Sequence, residues 1–132
     1  MDLMARVILV VDDEKLSRIC TARVLEGLGF EVVSVEDGRR AVDAEAVGDF
    51  DAIVMDCQMP NLDGYQATLA IRARQAGSRS PSTPIIGLSA RAMEGDRETA
   101  LAKGMDEYVT KPVRVHKLQA ALEQVGVPIR TG

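Results

Sequence analysis

Asp12 and Asp13 follow the apolar run Val7-Ile8-Leu9-Val10-Val11, and Asp56 closes a second apolar run, residues 52–55. Ser89 ends a third run, Ile85-Ile86-Gly87-Leu88, and Lys111 comes straight after Tyr108-Val109-Thr110. Carboxylates, a hydroxyl and an ammonium at the ends of apolar runs form a donor set suited to a hard divalent cation. Such a cation takes oxygen ligands and is held by one or two carboxylates with waters and phosphate oxygens. A carboxylate can also act as a nucleophile towards phosphorus, giving an aspartyl-phosphate. The cation would neutralise the attacking and phosphoryl oxygens as they close. Lys111 and Ser89 would then add positive charge and a hydrogen bond to the new group. These residues lead us to expect that Asp12, Asp13 and Asp56 converge on a divalent metal and that Asp56 is the group modified.

Taken singly, each residue has a plainer reading. A lone acid at a strand end is usually a solvated loop residue, and Ser89 alone would cap the following helix. Tyr108 could be ordinary core, and the lone histidine, His116, reads as a surface residue rather than a phosphoacceptor. Met55, Met59, Met93 and Met105 read as packing rather than as a cofactor pocket. Repetition of the pattern at several strand ends is what favours a site.

The apolar runs that carry these residues are too short for helices and suit strands buried on both faces of a parallel sheet. From Lys15 to about Leu28 the positions Leu16, Ile19, Cys20, Val24 and Leu28 recur at helical spacing, placing Cys20 on the apolar side, and Gly27 and Gly29 stop the helix. A strand over residues 31–35, a turn at Asp37-Gly38 and a short helix to about Val47 follow, with Gly48-Asp49 leading into the Asp56 strand. Asp63 with Gln66 three residues on reads as a capping box for a helix to about Arg74. Residues 76–84, rich in Gly, Ser and Pro, read as an exposed loop and the best candidate for mobility. A helix is expected from about Ala92 to Lys103, ended by Gly104, and a last one with Val115, Leu118, Leu122 and Val125 on one face. Residues 1–6 read as a lead-in and Pro128–Gly132 as a polar tail. The β-α-β-α-β order points to an α/β fold with a parallel sheet and right-handed crossovers. In a doubly wound, flavodoxin-like sheet of five strands in the order 2-1-3-4-5, with five helices, strands 1 and 3 meet at the switch point. All the strand-end residues then line one cleft.

A chain of 132 residues fits a single domain, 1–132, with its core at about 6–125. Apolar residues make up 46% and charged residues 27%, the balance of an ordinary globular protein. The net charge of −4, with no basic block, argues against nucleic acid as a partner. No apolar run approaches the roughly 18 residues that span a bilayer, and no signal peptide is visible, so a cytoplasmic domain without membrane contact is expected. Cys20 and Cys57 fit a reducing compartment, and no disulfide between them is expected.

The pattern Val10-Val11-Asp12-Asp13-Glu14, Met55-Asp56-Cys57-Gln58-Met59-Pro60 with Asp63-Gly64, Leu88-Ser89-Ala90, then Tyr108 and Lys111-Pro112, resembles the receiver domain of two-component response regulators over about residues 6–125. The resemblance implies that Asp56 takes a phosphoryl group from a histidine kinase or a histidine phosphotransfer protein. It implies Mg²⁺ (or Mn²⁺) ligated by Asp13, Asp56 and the main-chain carbonyl of Gln58, with Asp12 acting through a water. By the same resemblance Lys111 binds the phosphate, Ser89 moves towards it, Tyr108 turns inward, and Lys111-Pro112 matches a peptide bond often found cis. Gln58 and Arg91 would flank the phosphoryl position and tune its hydrolysis, and the altered face would be helix 4, strand 5 and helix 5. The runs Met55–Tyr65, 90–96 and 104–108 are most similar to receivers fused to hybrid sensor histidine kinases. The chain is then either such a domain, on the cytoplasmic part of a membrane-bound sensor, or a freestanding receiver. In both cases it is not itself an enzyme, beyond catalysing its own phosphorylation and dephosphorylation. The alternatives are a degenerate receiver acting by protein contacts alone, or a phosphatase of the haloacid dehalogenase type. The latter family resembles itself in a second aspartate two residues after the nucleophile, where this chain has Gln58. A nucleotide-binding switch lacks its G-x-x-x-x-G-K-[ST], and an FMN carrier would have its phosphate repelled by three acids.

Overall fold

In the computed structural model, which describes residues 6–60, 62–77, 82–91 and 93–129, five strands alternate with five helices. The order is β1 Val7–Val11, α1 Lys15–Gly27, β2 Glu31–Val35, α2 Gly38–Val47, β3 Ala52–Asp56, α3 Gly64–Gln75, β4 Ile85–Ser89, α4 Asp96–Ala102, β5 Glu107–Thr110 and α5 Val115–Gln124. The strands pair in parallel in the order β2-β1-β3-β4-β5, as the alternating pattern led us to expect. Side chains of a strand point alternately to its two faces, and the core divides accordingly. Ile8, Val10, Val54, Ile86 and Leu88 face Leu25 of α1 and Leu118 and Leu122 of α5. Leu9, Val11, Ile53, Met55 and Ile85 face Ala41 of α2, Ala67 and Ile71 of α3 and Ala100 of α4. The central strands β1, β3 and β4 are buried almost throughout, whereas β2 lies at the edge and is half exposed. Each fully buried Leu or Ile side chain contributes about 1.5–3 kcal/mol, so the three central strands fix the frame.

Several local expectations need correction. On α1 the buried residues are Thr21 and Leu25, with Val24 and the capping Leu28 packed on the core as expected, while Leu16 (70%), Ile19 (37%) and Cys20 are exposed. The first half of the inward stripe is polar because it passes the strand-end acids, and the apolar residues there are displaced to the surface. Helix α4 starts at Asp96, not near 92: Gly95 has φ 89°, a left-handed conformation that cannot continue a helix from upstream, and Asp96 caps backward onto Met93 N–H. Ala92 itself lies outside the described residues. Val115 (52%) and Met93 (64%) are exposed rather than packed, and α5 buries Leu118, Ala121 and Leu122 instead. At α3, Asp63 accepts from the Gln66 N–H as expected, and the return bond of a capping box is absent among the described hydrogen bonds. Of the segment expected to be mobile, residues 78–81 lie outside the described residues, as do 1–5 and 130–132. The supposed polar tail does useful packing: Ile129 lies partly buried against the core, and Pro128 O accepts a 2.6 Å hydrogen bond from Arg6, whose guanidinium lies 5.1 Å from the Phe30 ring. No helix among the described residues is long and apolar enough to cross a membrane.

Candidate functional site

Because β1 and β3 are neighbours in register Val11 opposite Met55, the chain leaves both strands side by side. One carboxylate oxygen each from Asp12, Asp13 and Asp56 therefore lies within 4.8 Å of the others. On the other flank, Ser89 pairs with Thr110 across β4 and β5, and the Lys111 N–H donates to Ser89 O at 2.7 Å. That places the Lys111 ammonium 3.0 Å from both Asp12 Oδ2 and Asp56 Oδ2. The Lys111-Pro112 peptide bond is cis. Gly64, the first residue of α3, passes so close to the end of β3 that a Cβ there would stand 2.1 Å from Asp56 O. Only glycine lets that helix start where it does.

The three acids differ in how they are held. Asp12 is fully buried and fully engaged: Oδ1 accepts from Glu14 N–H at 3.0 Å, and Oδ2 accepts from Ser17 Oγ at 2.6 Å as well as from Lys111. Asp13 is exposed. Asp56 is buried, with Oδ1 accepting from Gln58 N–H at 3.0 Å and Oδ2 from Lys111 at 3.0 Å. Burial raises the pKa of Asp56 and Asp12's charge adds to it, against the opposing pull of Lys111 and the Gln58 N–H. For Lys111 burial works downward, but its bonds to Asp12 and Asp56 prevail and the pKa is raised. Three carboxylates facing one ammonium leave two negative charges uncompensated. An all-oxygen donor set with excess negative charge fits a hard divalent cation, and the acid cluster could hold one. Asp12 and Asp56 each have both carboxylate oxygens engaged by donors, whereas Asp13 is exposed beside them.

Cys57 would be a rival nucleophile beside Asp56, but it is buried and its thiol is pushed up to about 11 by that burial. It stays protonated and inert near neutrality. It sits 3.9 Å from Met105 Sδ, in the room left by Gly87, where an added Cβ would stand 2.5 Å from that sulfur.

All the residues expected at the site are thus at the carboxyl edge of the sheet. Gln58 and Arg91 reach it through a chain of hydrogen bonds: Ser89 Oγ donates to Gln58 Oε1 at 2.9 Å and accepts from Arg91 N–H at 3.1 Å, and Tyr108 OH donates to Arg91 O at 2.8 Å. Sequence reasoning missed Ser17 and Arg18, whose guanidinium donates to Asp12 O at 2.9 Å. Their one signal is position, on the first turns of the helix that follows the acids. Beside Lys111 lies a groove of about 510 Å³ lined by Leu16, Ser17, Cys20, Thr21, Pro112 and Val113.

Residues 8–123 match the response regulator receiver domain family. The chain belongs to that family. This receiver is 43% identical over 124 residues to the sensor protein GacS of Pseudomonas syringae pv. syringae, a match that covers 93% of the chain and 14% of GacS. Among solved structures, the receiver domain of the sensor histidine kinase PA1611 from Pseudomonas aeruginosa PAO1, with a magnesium ion coordinated in its active-site cleft, is 40% identical with a TM-score of 0.80, covering 93% of this chain and 99% of that one. The receiver domain of the response regulator Ssk1 of Saccharomyces cerevisiae, crystallised with the histidine phosphotransfer protein Ypd1, belongs to another similar structure, at 28% identity and TM-score 0.80, covering 91% of this chain and 88% of that one. This chain is a receiver domain of the two-component and phosphorelay type.

Proposed function

We propose that this receiver takes a phosphoryl group onto Asp56 from the phosphohistidine of a histidine kinase or histidine phosphotransfer protein, with Mg²⁺ or Mn²⁺ as cofactor. The observation that carries the reading is the setting of the Asp56 carboxylate at the end of β3, between the Lys111 ammonium and the Gln58 N–H, with two further acids within 4.8 Å. An Asp56 oxygen attacks phosphorus, the P–N bond to imidazole breaks, and the imidazole leaves with the bonding pair and picks up a proton. Asp13, Asp56 and the main-chain carbonyl of Gln58 would hold the cation, with Asp12 acting through a water. When bound, it supplies positive charge to the phosphoryl oxygens. Lys111 turns from the carboxylates to the phosphoryl group, and Ser89 donates its hydroxyl there. Gln58 and Arg91 flank the group and set its lifetime. Tyr108 and Arg91 carry the change to the face made by α4, β5 and α5.

The apolar groove walled by Leu16, Cys20, Pro112 and Val113 opens beside Lys111 and is the surface on which the phosphodonor would land. The single domain, 1–132 with its core at about 6–125, is not an enzyme with a separate substrate, since it modifies itself. Its likeness to a segment covering 14% of GacS supports a place within a hybrid sensor kinase, on the cytoplasmic side of the membrane. Mass spectrometry after acetyl phosphate or beryllofluoride, with and without Mg²⁺, tests the core of the reading. The expected result is a metal-dependent adduct in the parent and none in Asp56→Asn; an adduct of equal yield in the variant would overturn it.

A further inference from the structure

We infer that the side chain of Gln58 is a resting-state latch on Ser89. A serine hydroxyl has one proton to donate, and here that proton is committed to Gln58 Oε1 at 2.9 Å. Ser89 Oγ in turn accepts from Arg91 N–H at 3.1 Å, and the carbonyl of the same residue accepts from Tyr108 OH at 2.8 Å. The start of the β4–α4 loop is thereby held at both main-chain polar groups of Arg91, and the last link of the chain is anchored on Gln58, two residues past Asp56. Ser89 is fully buried, so its hydroxyl has no water to fall back on.

The inference rests on the phosphoacceptor reading and deepens it. To meet a group on Asp56, Ser89 must release Gln58 and spend its single proton on a phosphoryl oxygen. A hydrogen bond to an anionic oxygen is roughly twice as strong as one between neutral groups, so the exchange runs forward on phosphorylation. The Gln58 bond opposes it by the worth of a neutral hydrogen bond and keeps the unmodified domain in its resting arrangement. In this resting-state role the Gln58 side chain is a positioning group that acts through Ser89, apart from its place beside the phosphoryl group once that has formed. Nothing in the acid cluster requires a glutamine there; a side chain of the same length without a strong acceptor would leave Ser89 free to turn.

The test is a double-mutant cycle between Gln58→Met and Ser89→Ala, read by beryllofluoride affinity in the presence of Mg²⁺. With Ser89 intact, Gln58→Met should bind beryllofluoride about 3- to 10-fold more tightly, the factor that corresponds to one neutral hydrogen bond. On the Ser89→Ala background the same substitution should change affinity by less than about 2-fold. An equal effect on both backgrounds would show that Gln58 acts by filling space near the phosphate, and no effect on either would also sink the latch. A second readout is independent of metal: amide exchange at Arg91 in the metal-free protein should quicken several-fold in Gln58→Met, and an unchanged rate overturns the inference. If the parent itself binds no beryllofluoride, the phosphoacceptor reading fails, and the Arg91 exchange rate still decides the latch.

Discussion

The two edges of the sheet each bury an acid, and they treat it in opposite ways. At the amino edge, where α3 ends and β4 begins, Glu45 is buried yet fully matched: Arg74 Nε donates to it at 2.7 Å, Arg74 Nη2 donates as well, and Gln75 Nε2 does so at 3.1 Å. Arg72 extends that network to Gln75 Oε1 and Thr83 O, each at 2.8 Å, to Gly104 O at 2.9 Å and to Asp106 Oδ2 at 2.7 Å. Two acids meet two guanidinium groups. At the carboxyl edge three acids meet one ammonium. A buried acid whose charge is cancelled on the spot holds helices together, whereas clustered acids in excess of their counter-charge could hold a cation. Both edges contain short, well-formed hydrogen bonds, so bond quality does not separate them; stoichiometry of charge does.

The contrast predicts opposite signs for similar substitutions. Arg72→Ala should be the most damaging, costing about 3 kcal/mol in urea unfolding because four acceptors lose their donor, while beryllofluoride binding by the folded variant should be unchanged. Glu45→Ala, at the same edge, should cost about 1–3 kcal/mol by leaving the buried Gln75 amide short of an acceptor. Mg²⁺ at ten times its dissociation constant should stabilise the parent by about 1.4 kcal/mol, and Asp13→Asn should weaken that response; an equal response would break the comparison. In metal-free buffer Asp56→Asn should stabilise the protein, by about 1 kcal/mol, since it removes a buried charge whose desolvation Lys111 only partly offsets. A loss of stability on that change would place the two edges in one class after all.

The smallest effect is the pH dependence of that last difference. Burial lifts the Asp56 pKa above its ordinary value of 3.8, so the folded protein holds this proton more tightly than the unfolded chain. The group's contribution is present below that value and is lost as pH rises from it through the folded pKa. The metal-free parent should therefore lose stability relative to Asp56→Asn across that window, as unfolding curves at successive pH values would show; a constant gap would argue that Asp56 is not strained by its surroundings.

Much of the carboxyl edge was legible in the sequence because its residues come straight after apolar runs, and a strand's end is a fixed place in this topology. Asp12, Asp13, Asp56, Ser89 and Lys111 all announce themselves that way. The inner face of α1 was misread for a related reason. Its helical spacing admits two overlapping stripes: of the one chosen, Val24 and Leu28 pack on the core but Leu16, Ile19 and Cys20 are exposed, and Thr21 and Leu25 take the inward places instead. The polar half of that face makes sense only once Ser17 is seen bonded to Asp12. Nor could the amino-edge network be read, because Glu45, Arg72, Gln75 and Asp106 come together from three separate helix and turn positions and none follows an apolar run. That Gln58 stands beside Asp56 follows from sequence adjacency, but the partner of its side chain depends on the orientation of Ser89, which no spacing rule encodes.

The contact between Arg6 and Pro128 has a consequence for how such a domain can be handled as a part. Since the incoming and outgoing chain meet at one corner, on the α1 and α5 side, the domain can be spliced into a host polypeptide as a side-loop, with entrance and exit adjacent. A tug transmitted along the host would be borne first at that corner, by the Arg6 guanidinium on Pro128 and Phe30 together with the Arg6 carbonyl bonded to Glu31 at the start of β2. Joining the two ends by a short linker and reopening the ring elsewhere should likewise leave the strand order intact.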